Sequence, residues 1–231
     1  MKILVAIFHK DRINYLDNLL NSIDKFLPTK SNNFKFIIFD NSENNSSKTY
    51  LKKINKKFQI ISNVKNRQNN IKNLYLSMNK SLRIAKEELF DYILTLQEDM
   101  QIVSNITGKD FKKITKIFED KNVLCINPTF FRKIDCVNFK NVHLSKKKNY
   151  YIYDGTSYAD CAIFSVKKLL KINFNFKSGE DKIDKKYIKK YYLAYLINPF
   201  VHFLPWSESS RKSRFDKFYI TKFIKKILVK I

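Results

Sequence analysis

Three short apolar segments constrain the fold of this chain more than any other feature of its sequence. They read KILVAIF at Lys2–Phe8, FKFIIF at Phe34–Phe39 and DYILTL at Asp91–Leu96. Each is rich in β-branched or aromatic residues and has no turn residue inside, which is typical of strands buried on both faces of a parallel sheet. A weaker fourth segment, FQIIS at Phe58–Ser62, has the same character.

Segments with helical periodicity lie between these strands. Apolar residues recur at steps of three and four from Ile13 to Phe26, shortly before Pro28, and again from Ile71 to Ala85. This alternation predicts a parallel sheet with right-handed crossovers. Ligands of such sheets bind beyond the carboxyl ends of the strands. The residues directly after each strand are therefore the first candidates for chemistry.

The chain after residue 105 has a weaker pattern. It predicts a helix near Lys109–Glu119, a strand from Val123, and a strand at Ala162–Val166 that a short helix follows. The stretch Phe130–Tyr153 is basic and aromatic and has no clear periodicity. Because no internal repeat or linker rich in Gly, Ser or Pro is present, we expect one α/β domain over residues 1–210.

The composition narrows the classes of ligand. Lys and Arg total 45 and Asp and Glu total 21, which gives a net charge of +24. This charge attracts polyanions such as nucleic acid, anionic lipid or phosphorylated substrates. Lys, Asn, Ile and Phe are abundant throughout, so a general compositional bias accounts for the charge equally well. With 3 glycines, the chain has neither a GxGxxG turn nor a GxxxxGK[ST] loop for a nucleotide.

The cysteines give no sign of a zinc site or a disulfide framework. Cys125, Cys136 and Cys161 are odd in number, widely spaced and without a CxxC pair. This usage fits a reducing cytoplasm. The apolar start of the chain is short and soon followed by charge, so it predicts a buried strand rather than a signal peptide. No stretch reaches the roughly 18 apolar residues that a membrane span requires.

Carboxylates at strand ends stand out in a chain this basic. Asp40 ends FKFIIF, where it can bind a nucleobase or ribose, or can close the turn that Asn41 and Ser42 favour. Glu98 and Asp99 follow DYILTLQ. Two adjacent carboxylates at the end of a buried strand repel each other and lose hydration. A divalent cation on diphosphate oxygens would offset that cost, whereas in an exposed turn the pair would simply face water.

Three further residues are candidates for catalysis or metal binding. Glu180 and Asp181 lie in the loop SGEDKID, where either is a general base if a substrate hydroxyl is near, or a solvated loop residue if none is. His202, in NPFVHFLPWS, is either a core histidine or a metal ligand.

Taken in order, these segments resemble the GT-A glycosyltransferases, in particular their family 2-like, inverting branch. The resemblance extends from residue 2 to about residue 207. It is carried by AIFHKDRINYLDNLLNSI, FIIFDNSENNSS, NRQNNIKNLYLSMNKSLRIAKEELFDYILTLQEDMQ, GTSYADCAIFSVKKLL and SGED. One departure concerns the metal motif, which is usually Asp-x-Asp in that family. This chain has Gln97-Glu98-Asp99 instead, so Glu98 is the candidate to compensate for the missing first carboxylate.

The resemblance implies a nucleotide-diphospho-sugar transferase with a mostly parallel central sheet flanked by helices. In such an enzyme Asp99, with Glu98 behind it, would hold Mg²⁺ or Mn²⁺ on the diphosphate. His202 would complete the metal shell or touch the diphosphate. Asp181 would take the proton of the acceptor hydroxyl, with Glu180 as the second candidate.

The resemblance also implies a nucleotide pocket and two substrates. The donor would be a nucleotide-sugar, and the acceptor a hydroxyl of a glycan or lipid-linked molecule in bacterial surface polysaccharide or lipooligosaccharide synthesis. Asp40 would contact the base. The other residues of the pocket would be Phe8, His9, Arg12, Arg67 and Asn79.

The last residues, 211–231, differ from the rest of the chain. At about 100° per residue, apolar side chains from Tyr219 to Ile231 fall on one arc and lysines on the other. This predicts a basic amphipathic helix that binds an anionic membrane surface or docks on the domain. We expect a cytoplasmic protein, peripheral on the inner face of the plasma membrane.

Three alternatives use the same observations differently. A nucleic-acid-binding protein would explain the charge, but no helix-turn-helix, zinc-finger or RRM signature is present, so no specific nucleic acid is expected. A catalytically inactive GT-A-like binding protein would explain Gln97. A nucleotidyltransferase would carry a Gly-rich basic loop after its first strand, which HKDRINYL does not match.

Overall fold

A computed structural model describes residues 1–29, 31–62, 70–130, 142–144, 150–153, 161–176 and 191–204 of the chain. Its helices are α1 Ile13–Phe26, α2 Asn45–Ile54, α3 Asn70–Glu87, α4 Gly108–Lys116 with a 3₁₀ turn at Ile117–Glu119, and α5 Val166–Lys171. Its strands are β1 Ile3–His9, β2 Phe34–Asp40, β3 Gln59–Ser62, β4 Tyr92–Gln97, β5 Met100–Ile102, β6 Val123–Asn127, β7 Val142–Leu144, β8 Tyr150–Tyr153, β9 Ala162–Ser165, β10 Tyr192–Leu196 and β11 Val201–Phe203.

Nine of these strands form one central sheet in the order β3-β2-β1-β4-β9-β6-β10-β8-β7. The pairs β3–β2, β2–β1, β1–β4 and β6–β10 are parallel, whereas β9 and β8 are antiparallel to their neighbours. Seven of the nine strands described in this sheet therefore run in one direction. This confirms the mostly parallel α/β sheet that the sequence predicts.

Helices cover both faces of this sheet, which explains why β1 is apolar from Ile3 to Phe8. Its odd-numbered residues Ile3, Val5 and Ile7 join a core with α1 and α4. Leu4 and Ala6 point the other way, into a second core with α3 and α5. All five side chains are fully buried. A strand between two helix layers needs no polar face.

Helix α2 is the helix that the sequence analysis did not identify. It buries few side chains, chiefly Ser47 and Leu51, so its apolar periodicity is faint. Its start is fixed locally, because the side chain of Asn44 accepts a hydrogen bond from the Ser47 amide at 2.7 Å. The helix forms beside β3 at the edge of the sheet, where little core is available.

A small two-stranded ribbon of β5 and β11 lies beside the end of β4. It is closed at one end by the Val103 amide, which donates to the Phe200 carbonyl at 2.9 Å, and at the other by the Leu204 amide, which donates to the Asp99 carbonyl at 2.7 Å. Asp99 is therefore held between the central sheet and the ribbon.

The described parts of the chain contain no helix that is long and apolar enough to cross a bilayer.

Several sequence predictions concern residues outside the described ranges. They are the nucleotide-pocket candidate Arg67, the base candidates Glu180 and Asp181, and the tail at 211–231.

Candidate active site

The register of the parallel strands brings the predicted carboxylates together. His9 at the end of β1 pairs with Asp40 at the end of β2, and Phe8 pairs with Gln97 at the end of β4. Glu98 and Asp99 thus lie next to the end of β1. Asp40, Glu98 and Asp99 are only 2%, 2% and 5% exposed. Three buried carboxylates at one edge require compensating donors or cations.

Glu98 obtains its donors from the loop between β1 and α1. Its Oε2 accepts a hydrogen bond from the Lys10 amide at 2.8 Å, and its Oε1 accepts one from Arg12 Nε at 2.6 Å. His9 Nδ1 lies 3.5 Å from Oε2. The Glu98 amide in turn donates to the Phe8 carbonyl at 3.1 Å. Glu98 therefore ties the end of β4 to the loop after β1.

Arg12 links the two adjacent carboxylates. While its Nε bonds to Glu98, its Nη1 lies 3.5 Å from Asp99 Oδ2. The side chain is 32% exposed, so Arg12 is accessible from solvent at this edge. Arg12 also precedes α1, and no side chain caps that helix start. The positive end of the α1 dipole thus adds to the guanidinium charge at this edge.

A second set of contacts fixes the same loop from the β2 side. Asp11 adopts a left-handed backbone with φ of 61°, which aspartate tolerates better than most residues. Its Oδ1 accepts hydrogen bonds from the amides of Glu43 and Asn44 at 2.9 and 3.0 Å. Its own amide donates to Ser42 Oγ at 3.1 Å. The β1–α1 loop is consequently held from both neighbouring strands.

Asp40 closes a turn and also borders a cavity. Its Oδ1 accepts from the Ser42 amide at 2.9 Å, which is the turn that the sequence allows as an alternative. It also lines a cavity of about 520 Å³ together with Ser62, Lys48 and Lys52. That volume is in the range of small-molecule sites. The closing of the turn and a contact with a ligand are therefore compatible at this residue.

Two of the candidates for the nucleotide pocket, Phe8 and Asn79, make structural contacts. The Phe8 ring is 2% exposed and packs on Phe39 with ring centroids 5.6 Å apart. The Asn79 amide donates to the Phe176 carbonyl at 2.8 Å, and its oxygen accepts from the Phe176 amide at 2.9 Å. Phe8 supports the site from the core, and Asn79 fastens the segment after α5 to α3.

His202 lies on the ribbon beside Asp99. It pairs across the ribbon with Gln101, and its ring lies 5.7 Å from the ring of Phe130. Burial lowers the pKa of His202, although a hydrogen bond with the Phe203 backbone opposes the shift. Its Nδ1 is buried and makes no hydrogen bond within the described part of the chain. The lowered pKa favours the neutral imidazole, which is the form that binds metals.

Gln101 is a residue that the sequence analysis overlooked. Its side chain is completely buried, and neither its oxygen nor its nitrogen has a hydrogen-bond partner among the described residues. A buried amide in that state is uncommon and costs free energy. Only the burial of β5 marks the position, and three residues are too few for a sequence pattern to reveal it.

The carboxylates present fit a divalent cation that arrives with a phosphate ligand. Within the described ranges no three His, Cys, Asp or Glu side chains form a metal-binding group. Both oxygens of Glu98 accept hydrogen bonds from the β1–α1 loop. Of the two adjacent carboxylates, Asp99 is then the better candidate to ligate the cation. Mg²⁺ is commonly held by one or two carboxylates, with substrate phosphates and water as the other ligands.

Known structures share this fold at low sequence identity. S. aureus TarS 1–349 in complex with UDP-GlcNAc is 19% identical over 92% of this chain, with a TM-score of 0.57. The mannosyltransferase PcManGT from Pyrobaculum calidifontis, in complex with GDP-Man and Mn²⁺, is 14% identical over 98% of this chain, with a TM-score of 0.63. GalNAc-T7 with UDP, GalNAc and Mn²⁺ is 12% identical over 88% of this chain, with a TM-score of 0.58.

The chain is shorter than these proteins. It spans 61% of the TarS 1–349 chain, 64% of PcManGT and 44% of GalNAc-T7. No protein-family model and no curated protein sequence matches it. The structural likeness, together with the sheet order and the carboxylates at its edge, shows that the chain has the GT-A fold of nucleotide-sugar glycosyltransferases.

Proposed function

We propose that this protein is a metal-dependent, inverting glycosyltransferase. One observation carries the proposal: Asp40, Glu98 and Asp99 lie buried at the carboxyl edge of a GT-A sheet, where Arg12 bonds to Glu98 and lies beside Asp99. Solved proteins of this fold hold UDP-GlcNAc or GDP-Man. The proposed donor is therefore a nucleotide-sugar.

In this proposal the donor lies across the ends of β1, β2 and β4. The nucleoside occupies the cavity beside Asp40, whose lysines Lys48 and Lys52 suit a ligand that carries phosphate. Asp99 holds Mg²⁺ or Mn²⁺, with His202 as a further ligand, and Arg12 donates to the diphosphate. When bound, the cation stabilises the negative charge that develops on the leaving nucleoside diphosphate.

The transfer is proposed as a single displacement. Asp181, or Glu180 in its place, accepts the proton of the acceptor hydroxyl while that oxygen forms a bond to the anomeric carbon. The bond from that carbon to the diphosphate oxygen breaks at the same time, and the electron pair leaves with the nucleoside diphosphate. Attack from the face opposite the leaving group inverts the configuration.

We also propose that the acceptor is a glycan or a lipid-linked molecule, as in the synthesis of bacterial surface polysaccharide or lipooligosaccharide. Residues 211–231 would then bring the enzyme to an anionic membrane surface, because eight positive and two negative residues from Pro205 onward flank an apolar arc. Deletion of residues 211–231 should abolish co-sedimentation with anionic liposomes. Retention of binding would exclude this role of the tail.

A thermal-shift screen tests the core of the proposal. UDP, GDP, dTDP and CMP are each added to the purified protein with Mn²⁺ and with EDTA. A ligand that binds only the folded state increases the free energy of unfolding by RT ln(1 + [L]/Kd), which is about 2.7 kcal/mol when [L] is 100 times Kd. The unfolding midpoint rises as a result. We expect one nucleotide to raise the midpoint more with Mn²⁺ than with EDTA.

The result also separates the alternatives. A metal-dependent shift without sugar transfer would favour an inactive binding protein. The lack of any shift, together with salt-sensitive binding to arbitrary DNA, would overturn the proposal in favour of a polyanion-binding protein.

A further inference from the structure

Glu98 occupies the position in the metal motif where the sequence suggests a substitute metal ligand. We infer that Glu98 is instead a positioning residue, which holds the Arg12 guanidinium against the nucleoside diphosphate. Arg12 then supplies a part of diphosphate binding that requires no metal. This inference rests on the proposed function, because it assumes a nucleoside diphosphate at this edge of the sheet.

Both carboxylate oxygens of Glu98 already accept hydrogen bonds. A carboxylate that ligates a cation needs an oxygen facing it, yet the Oε1 of Glu98 accepts from Arg12 at 2.6 Å and its Oε2 from the Lys10 amide at 2.8 Å. The side chain is 3% exposed. Reorientation toward a cation would break both hydrogen bonds in a buried setting, which is costly for each group left behind.

The planar guanidinium of Arg12 can contact two carboxylates at once. The guanidinium has five N–H donors in a rigid plane, so it bonds to Glu98 through Nε and still directs Nη1 toward Asp99, 3.5 Å away. The ring of Tyr15, 5.7 Å from its central carbon, supports the same side chain from α1. A lysine ammonium could not span these contacts, because it is a point charge on a flexible stem.

The charges of Glu98, Asp99 and Arg12 also bear on how a diphosphate can bind. The cluster contains two carboxylates, Glu98 and Asp99, and Arg12 lies within ion-pair distance of both. A diphosphate near Asp99 is repelled unless a cation is present. Arg12, whose side chain is 32% exposed, can donate to phosphate oxygens. The metal then offsets the negative charge of Asp99.

The loop is also fixed before any ligand binds. Glu98 holds Lys10 and Arg12 from the β4 side, and Asp11 holds the amides of Glu43 and Asn44 from the β2 side. A guanidinium fixed from both sides loses little conformational freedom when it binds phosphate.

The experiment compares Glu98→Gln with Asp99→Asn. Affinity for UDP and for GDP is measured by calorimetric titration in EDTA and in Mn²⁺. Free Mn²⁺ is followed by electron paramagnetic resonance at saturating nucleotide. Glu88→Gln is the matched control, because Glu88 pairs on the surface with Lys35, which lies near the start of β2, at the opposite end of that strand from Asp40.

For Glu98→Gln we expect nucleotide affinity to fall about tenfold in both buffers, while the Mn²⁺ midpoint shifts by less than about twofold. For Asp99→Asn the Mn²⁺ midpoint should rise by more than about tenfold and the affinity in EDTA should not fall. Glu88→Gln should change neither quantity. A Mn²⁺ midpoint that rises as much in Glu98→Gln as in Asp99→Asn would overturn the inference.

Arg12→Gln provides a second route if Glu98→Gln does not fold, because its side chain is partly exposed and its loss opens no large cavity. It should lower nucleotide affinity in EDTA by about tenfold and leave the Mn²⁺ midpoint unchanged. Unchanged affinity in EDTA would refute the role of Arg12. If the wild-type protein binds no nucleoside diphosphate in either buffer, the proposed function itself fails and this inference fails with it.

Discussion

The two halves of the central sheet differ in how well they can build a site. In the first half β3, β2, β1 and β4 are all parallel, and β1 and β2 have seven residues each. In the second half β9 and β8 run against their neighbours, and no described strand exceeds five residues. Parallel strands end at one edge, so their loops meet there, whereas alternating strands send their loops to both edges.

This difference suggests a division of labour. The first half concentrates Asp40, Glu98 and Asp99 at one edge and, in the proposed function, binds the donor. The second half leads into the part of the chain that contains Glu180 and Asp181, the candidates for the base. Binding and reaction should therefore be separable by mutation, which the following predictions test.

The largest effect is expected at the proposed base. Asp181→Ala should lower kcat by about 10² to 10⁴-fold, the usual contribution of a general base, while affinity for the nucleoside diphosphate stays at the wild-type value. Steady-state kinetics and calorimetry measure the two quantities. Asp184→Ala, three residues further along the same segment, is the matched control and should keep its activity. Full activity in Asp181→Ala would show that Asp181 is not the general base.

A large effect on stability is expected in the first half of the sheet. Phe39 is fully buried in β2 and packs on Phe8. Phe39→Ala should lower the free energy of unfolding by about 3–5 kcal/mol through lost burial and the cavity that remains. Urea denaturation measures this change. Leu76→Ala is the control, because Leu76 is 48% exposed on α3 and should change stability by no more than about 0.5 kcal/mol. Equal losses would show that the first half is not closely packed.

The same difference explains what could be predicted from the sequence. β1, β2 and β4 are long apolar runs because helices cover both of their faces, and such runs are visible without any structure. β5 and β11 have three residues each, too few for a period to appear, and α2 buries few side chains. The sequence placed Asp40, Glu98 and Asp99 at strand ends, and the strand order in the structure makes the ends of β2, β1 and β4 neighbours.

The partners of Glu98 could not be predicted in the same way. One of them is the backbone amide of Lys10, and every residue except proline offers such a donor. The left-handed backbone of Asp11 depends on contacts with the loop after β2, which are distant in sequence. Sequence reasoning therefore finds which carboxylates meet, and the structure shows which of them are already satisfied.

Gln101, on the ribbon beside the site, should show a smaller effect in the opposite direction. Gln101→Met replaces an amide whose two polar atoms have no hydrogen-bond partner within the described ranges with an apolar side chain of similar length. Recovery of about 1 kcal/mol of desolvation cost would raise the unfolding midpoint by about 2–4 °C in a domain of this size. Gln59→Met, at an exposed position of β3, is the control. A fall in the midpoint would mean that the Gln101 amide stabilises the unliganded protein.

The smallest effect concerns His202, which shares the ribbon with Gln101. Burial lowers the pKa of His202 in the folded protein, whereas the unfolded chain has an ordinary histidine pKa of about 6.5. Below that pH the unfolded state binds the proton more readily, so stability is lost as pH falls, with a slope of at most about 1.4 kcal/mol per pH unit from this residue. Urea denaturation at pH 7.5 and 5.5 should therefore show a larger loss for the wild type than for His202→Gln. Equal losses would mean that another group accounts for the acid sensitivity. A larger loss in the wild type would show that the imidazole stays neutral beside Asp99, in the form that a metal can use.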